Sequence, residues 1–192
     1  MDTNIFMIFI SGVLINNFVL SRFLGICPFL GVSKRLETAL GMSLAVLFVS
    51  ALSSVFTFVA YEFLLAPFGL QYMYTVAFVL IMASFVQLTE MILKKYSPLL
   101  HKSLGIYLPL LTTNCAILGV LVLNMQSGYG ILSSVINAIG VSVGFALAIM
   151  LFAGIRERLV FADVPKCFQG FPIAMIIAGL MSIAFLGFAG LA

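Results

Sequence analysis

Charge is what this sequence has least of. Only 8% of its 192 residues are Asp, Glu, Lys or Arg, while 64% are hydrophobic, which is too little polar surface to wrap a water-soluble globule of this size. Residues 63–89, 103–155 and 167–192 carry no charge at all, and each run is long enough to cross a hydrocarbon core about 30 Å thick. Histidine occurs once, as His101, so the chain offers no pair of axial histidines for a haem. The six acids, Asp2, Glu37, Glu62, Glu90, Glu157 and Asp163, all fall at or beyond the ends of the apolar runs. That leaves no mid-membrane carboxylate as a proton or cation relay. There is no phosphate-binding glycine loop, and no basic residue precedes Arg22, so neither independent nucleotide catalysis nor a cleaved secretory signal is expected. The net charge of +3 is spread in a pattern that gives no support to a nucleic acid partner. Three cysteines, Cys27, Cys115 and Cys167, are an odd number with no C-x-x-C pair, so neither a disulfide framework nor a locally closed metal site is expected.

What is present reads as an all-α integral membrane protein, a single membrane domain over residues 1–192. Apolar runs bounded by charges or Pro/Gly/Asn clusters predict six spans near 5–32, 38–61, 72–93, 103–123, 131–154 and 170–191. Lys34 and Arg35 fall in the first loop, Lys94, Lys95 and Lys102 in the third, and Arg156, Arg158 and Lys166 in the fifth. Loops two and four hold no cation, so the positive-inside rule makes loops one, three and five cytoplasmic and puts both termini outside. Tyr61, Tyr72, Tyr74, Tyr96 and Tyr129 lie near span ends, an interfacial belt in a chain without tryptophan.

The chain also matches itself. Cys27-Pro-Phe-Leu-Gly31-Val32 in span 1 aligns with Cys115-Ala-Ile-Leu-Gly119-Val120 in span 4. Three spans separate the copies, so the second crosses the membrane in the opposite sense, as in an inverted-topology repeat. The halves are expected at about 1–96 and 97–192. Spans 1 and 4 are also expected to be broken. As one helix, span 1 would extend roughly 42 Å, and it contains Asn16-Asn17, Arg22 and Gly25-Ile26-Cys27-Pro28. Span 4 repeats this grammar with Pro109, Thr112-Thr113-Asn114-Cys115 and Gly119. Irregular backbone at membrane depth must face protein or a cavity, because lipid cannot satisfy freed N–H and C=O groups.

The pseudo-symmetry would bring Cys27 and Cys115 toward each other near the midplane. Two thiolates are half of the four that a [2Fe-2S] cluster takes, and a related second subunit would supply the others. The same residues also read as small apolar packing cysteines. Arg22, the one cation inside a span, would favour the extra electron on a reduced cluster, or would snorkel to the interface. Asn16, Asn17, Gly25, Thr112, Thr113 and Asn114 surround the cysteines in sequence. Apart from Gly25, their polar side chains either line a cavity or hydrogen-bond cluster sulfurs, or satisfy backbone groups freed at the breaks. Cys167 has no repeat mate and is assigned no role.

The stretches Asn16-Asn17-Phe-Val-Leu, Phe23-Leu-Gly-Ile-Cys27-Pro-Phe-Leu-Gly-Val-Ser33 and Leu108-Pro-Leu-Leu-Thr-Thr-Asn114-Cys115-Ala-Ile-Leu-Gly119 resemble the paired membrane subunits of Rnf complexes (ferredoxin:NAD+ oxidoreductases) and of the related sodium-translocating NADH:quinone oxidoreductase, Nqr. The likeness is closest to the Rnf A type, whose Nqr counterpart is the E subunit. The resemblance implies a prokaryotic cytoplasmic membrane protein, not catalytic alone. It implies a [2Fe-2S] cluster held by Cys27 and Cys115 with two cysteines of a homologous partner, the E-type chain of Rnf or the D-type chain of Nqr. It further implies electron relay between redox subunits, assembly with the B, C, D and G components of Rnf, and coupling to Na+ or H+ movement. The rival class is a secondary transporter, which also uses inverted repeats with broken helices but has no need of repeat-matched thiols. A reporter fused after Ala192 is expected to read as outside the cytoplasm, and a cytoplasmic signal would reverse the topology.

Overall fold

In lipid every backbone N–H and C=O must find its partner within the protein, and an apolar run does so by becoming a helix. The structure, a computed structural model, describes residues 9–10, 12–13, 17–65, 73–96, 110–111, 114–161, 165 and 167–189. Asn16, Pro109, Thr112 and Thr113 lie outside them. The described elements are α1 (Phe18–Arg22), α2 (Ile26–Val32), α3 (Leu36–Ala60, continued by a π-helical turn at Tyr61–Leu65), α4 (Tyr74–Tyr96), α5 (Cys115–Gln126), α6 (Ile131–Leu159) and α7 (Phe171–Ala189). Among the described residues there is no strand. Leu36–Phe63, Tyr74–Ile92 and Ile131–Leu159 are each long and apolar enough to cross a membrane, and α5 and α7 are shorter apolar helices. The fifth apolar run continues as helix past its expected end at 154. Arg156 and Arg158 therefore lie in the last turn of α6, where cations complement the negative end of the helix dipole.

The first run is interrupted. Helical backbone stops at Arg22, and the chain turns through Phe23 at φ +55° and Gly25 at φ +87° before α2 starts at Ile26. A bulky residue in the left-handed region costs about 1–2 kcal/mol, so Phe23 is held there by its surroundings. The Phe18 carbonyl takes the N–H groups of both Phe23 and Leu24, which closes α1. Pro28 is not the breaker that its position in the sequence suggests. It sits in the first turn of α2, where the N–H that proline lacks would have no intrahelical partner anyway.

Polarity runs opposite to that of a soluble protein. Leu80, Leu132, Leu180 and Ile183 are more than 60% exposed, whereas Ser43, Ser50, Ser53, Ser54, Thr57, Asn124 and Asn137 are buried. The core is the long contact between α3 and α6. Small residues on their facing sides let the backbones approach closely, and the Ser50 and Ser142 hydroxyls meet across that seam at 2.5 Å. Beside it, Asn137 donates to Asn124 Oδ1 at 2.6 Å, and Asn124 donates to the Ser134 carbonyl. α2 is pinned to α6 by the stacked rings of Phe29 and Phe152, 4.4 Å apart, and α7 is tied to α1 by Ser182 Oγ donating to the Leu20 carbonyl at 2.6 Å.

The segment leading into α1 rides on glycines of α6. A Cβ at Gly144 would lie 2.9 Å from the Val13 carbonyl oxygen, closer than such atoms approach. That proximity lets Asn17 do two things. Its Oδ1 accepts from Val19 N–H as the cap of α1, and its Nδ2 donates to the Gly144 carbonyl at 3.0 Å. Asn17→Ala is expected to lower stability in mixed micelles by about 2 kcal/mol, the sum of a lost cap and a lost buried hydrogen bond. Asn17→Ser keeps the cap and should recover about half of that loss in the same unfolding measurement.

Candidate functional site

Both cysteines singled out by the internal match stand in the first turn of a helix that restarts after irregular backbone. Cys27 is the second residue of α2 and Cys115 the first of α5. At the start of α5, Asn114 is extended at φ −71°, ψ 105°, with its Oδ1 accepting from Ala116 N–H at 3.0 Å. Asn17 and Asn114 therefore cap α1 and α5 in the same way, each side chain bonding to the N–H two residues on.

The two interruptions touch. Gly25 N–H donates to Cys115 Sγ at 2.8 Å, across 90 residues of sequence. A Cβ on Gly25 would lie 3.0 Å from Ala116 Cβ and 3.3 Å from Asn114 Oδ1, so the turn before Cys27 lies directly against the turn that carries Cys115. Gly119, one turn along α5, is packed as closely, with Leu24 Cδ1 3.0 Å from where its Cβ would stand. Gly25 is thus required twice, for its left-handed backbone and for the absence of a side chain. Because two residues span about 7 Å at most, the Cys115 sulfur rests within about 10 Å of the Cys27 backbone.

The cysteines differ in surroundings. Cys27 is exposed and Cys115 half-buried. Cys27 lies on an open groove of about 640 Å³ between α2 and α7, with Ile26, Leu30, Lys34, Arg156 and Phe171 among its walls. Arg22 is exposed at the end of α1, its guanidinium 5.6 Å from the Phe18 ring centre. Cys167 is exposed in the turn before α7. Among the described residues no three His, Cys, Asp or Glu side chains converge.

Sequence reasoning missed Arg156, which it assigned to a cytoplasmic loop. The side chain turns inward and its Nη1 donates to the Leu30 carbonyl at 3.0 Å and to Ser33 Oγ at 2.9 Å, with the guanidinium 5.8 Å from the Phe152 ring centre. Leu30 belongs to the last turn of α2, whose carbonyls have no intrahelical partner, so Arg156 closes the end of the helix that bears Cys27. No local signal separates this arginine from Arg158, because which one turns inward depends on how α2 and α6 pack.

Gly25→Ala is expected to destabilise the chain by about 1–3 kcal/mol, through left-handed strain and overpacking against Ala116. A thermal melt of the purified protein in detergent checks this, and an unchanged midpoint would mean that the two turns do not press together.

Residues 5–192 match the family described as Rnf-Nqr subunit, membrane protein. The chain is 59% identical over 184 residues to the A-type subunit of the Na(+)-translocating ferredoxin:NAD(+) oxidoreductase complex of Acetobacterium woodii, covering 96% of each chain. It is 56% identical over 188 residues to the A-type subunit of the ion-translocating oxidoreductase complex of Syntrophotalea carbinolica, covering 98% of this chain and 97% of that one. With the protein of the same description from Alkalilimnicola ehrlichii it shares 54% over 189 residues, 98% of each. Apolar helices, buried polar side chains and a match over nearly the whole length lead to one conclusion: this chain is an integral membrane protein and belongs to the Rnf-Nqr family of membrane subunits.

Proposed function

We propose that this chain is the A-type membrane subunit of an Rnf ion-translocating ferredoxin:NAD+ oxidoreductase, and that it passes electrons through a [2Fe-2S] cluster held by Cys27 and Cys115 together with two cysteines of a homologous E-type subunit. The observation that carries the reading is the hydrogen bond from Gly25 N–H to Cys115 Sγ, which ties the two cysteine-bearing turns to each other. Identities of 54–59% to proteins described as A-type subunits favour the Rnf assignment over the E subunit of Nqr. In this reading the chain crosses a prokaryotic cytoplasmic membrane six times, as inverted halves 1–96 and 97–192 with spans 1 and 4 broken. Loops one, three and five are cytoplasmic, and the B, C, D and G components complete the complex that moves Na+ or H+.

The residues suit the group. An iron–sulfur centre takes thiolate ligands whose sulfurs accept N–H hydrogen bonds, and Cys115 Sγ already accepts one from the backbone. Cys27 stands on the outer surface of the chain, as a thiol shared with a second subunit must. Two of four ligands come from this chain. When bound, the centre supplies a one-electron relay station inside the bilayer. The protein's own part is positional. Asn114 and Gly25 start α5 and α2 at defined points, Arg156 holds the far end of α2 through Leu30 and Ser33, and Phe29 stacked on Phe152 keeps α2 from shifting along α6. Arg22 adds a fixed positive charge near the first turn, which favours the reduced state of an adjacent centre.

Purified anaerobically with its E-type partner alone, the protein is expected to contain iron and to give an electron paramagnetic resonance signal on reduction. Cys27→Ser and Cys115→Ser should each lose both, and the chain expressed alone should hold little iron because its ligand set is incomplete. Iron unchanged in either variant would refute the cluster, and a pair without iron would turn attention to the transporter reading.

A further inference from the structure

Two open grooves, of about 350 and 640 Å³, share only Arg156 and Gly170 among the residues that line them. Ile173 and Ile177 of α7 wall the smaller groove, Phe171 and Met175 the larger. Each pair is four residues apart and so stands on one side of the helix, and the two sides flank the buried Ala174. The grooves therefore run along opposite flanks of α7 and meet at its start. The space over that meeting point is open, since a Cβ at Gly170, whose φ is +92°, would meet nothing within 4 Å.

Charge at this junction is of one sign. Lys34 joins Arg156 on the wall of the larger groove, and no carboxylate lines either one. The bonds that Arg156 gives to Leu30 and Ser33 both come from Nη1, while a guanidinium also carries donors on Nη2 and Nε. Arg156 lies in the last turn of a helix long enough to cross a membrane, at the level where hydrocarbon gives way to headgroups. Two cations above a pair of apolar grooves between membrane helices fit an amphipathic anion, with a phosphate at the surface and hydrocarbon chains below it. A soluble anion has nothing to place in the grooves, and an uncharged helix gains nothing from the cations.

We propose that an anionic phospholipid sits astride the start of α7, with its phosphate on Arg156 and Lys34 above Gly170 and one acyl chain in each groove. It fastens the start of α7 to the ends of α2 and α6, because the grooves lie between those helices. The site does not rest on the cluster reading. Cys27 stands at the start of α2, about 8 Å along the helix from its end at Val32, so thiol and headgroup lie at opposite ends of the larger groove.

The test uses the whole purified complex and two photoreactive lipids with the same chains, phosphatidylglycerol and phosphatidylcholine, the labelled peptides being read by mass spectrometry. Phosphatidylglycerol is expected to label residues 170–177 several times more heavily than phosphatidylcholine, and equal labelling overturns the proposal. Lys34→Gln should weaken that labelling about fivefold, the contribution of one cation at a membrane surface. Arg158→Gln, exposed and on neither groove, should leave it unchanged, and losses of equal size in both variants overturn the site by reducing it to general surface charge. Should Lys34→Gln fail to assemble, salt decides with the unaltered complex. Raising ionic strength from about 0.1 to 1 M shortens the reach of charge from about 10 to 3 Å and should bring the two lipids together, whereas a preference unmoved by salt overturns the part given to the cations. Inorganic phosphate in excess should leave the labelling intact, and displacement by it overturns the lipid in favour of a soluble anion. A photoreactive amino acid in place of Met175 is expected to capture phospholipid, and capture of another subunit instead means that protein fills the groove and overturns the proposal.

Discussion

Everything distinctive about this structure follows from one constraint, that backbone freed from a helix inside a membrane has to be satisfied by protein. The chain interrupts its first apolar run between Arg22 and Ile26 and leaves helical geometry again at Asn114. Neither interruption is left to lipid. Gly25 N–H finds Cys115 Sγ, Asn114 Oδ1 takes Ala116 N–H, and the Phe18 carbonyl takes two N–H groups at the end of α1. The second break supplies the acceptor that Gly25 N–H needs, so the two lie together and the turn that precedes Cys27 rests against the start of α5.

That mutual arrangement needs close approach, which small residues provide. Gly25 presses on Asn114 and Ala116, Gly119 on Leu24 and Phe18, and Gly144 on the carbonyls of Gly12 and Val13. With lipid outside, association of apolar faces gains little from the hydrophobic effect, so packing and interhelical hydrogen bonds carry more of the specificity. The Ser50–Ser142 pair, the Asn124–Asn137 pair and Asn17 bonded to Gly144 are such links. They join α3, α5 and α1 to α6, which makes α6 the axis of the described part of the chain.

Arg156 shows how a charge is used where water is scarce. Its guanidinium serves one carbonyl, one hydroxyl and one aromatic face, and so couples the end of α6 to the end of α2. Phe29 on Phe152 and Arg156 on Leu30 hold the middle and the end of the same short helix.

The sequence by itself determined the solvent, the apolar runs, the places where they are interrupted and the two cysteines that recur in matching surroundings. These depend on local composition and spacing, because a run without charge has few alternatives to a membrane helix and a Gly-Ile-Cys-Pro or Thr-Asn-Cys stretch cannot continue one smoothly. Only the tertiary structure decided that Pro28 begins a helix and breaks none, that Arg156 turns inward while Arg158 stays exposed, that Gly144 is a contact point, and that Asn17 is saturated where Asn114 is not. Those outcomes turn on which backbone oxygen from a distant helix comes within about 3 Å of a given donor. Residue types cannot specify that distance, because hydrogen bonds form between atoms and only packing brings distant atoms together.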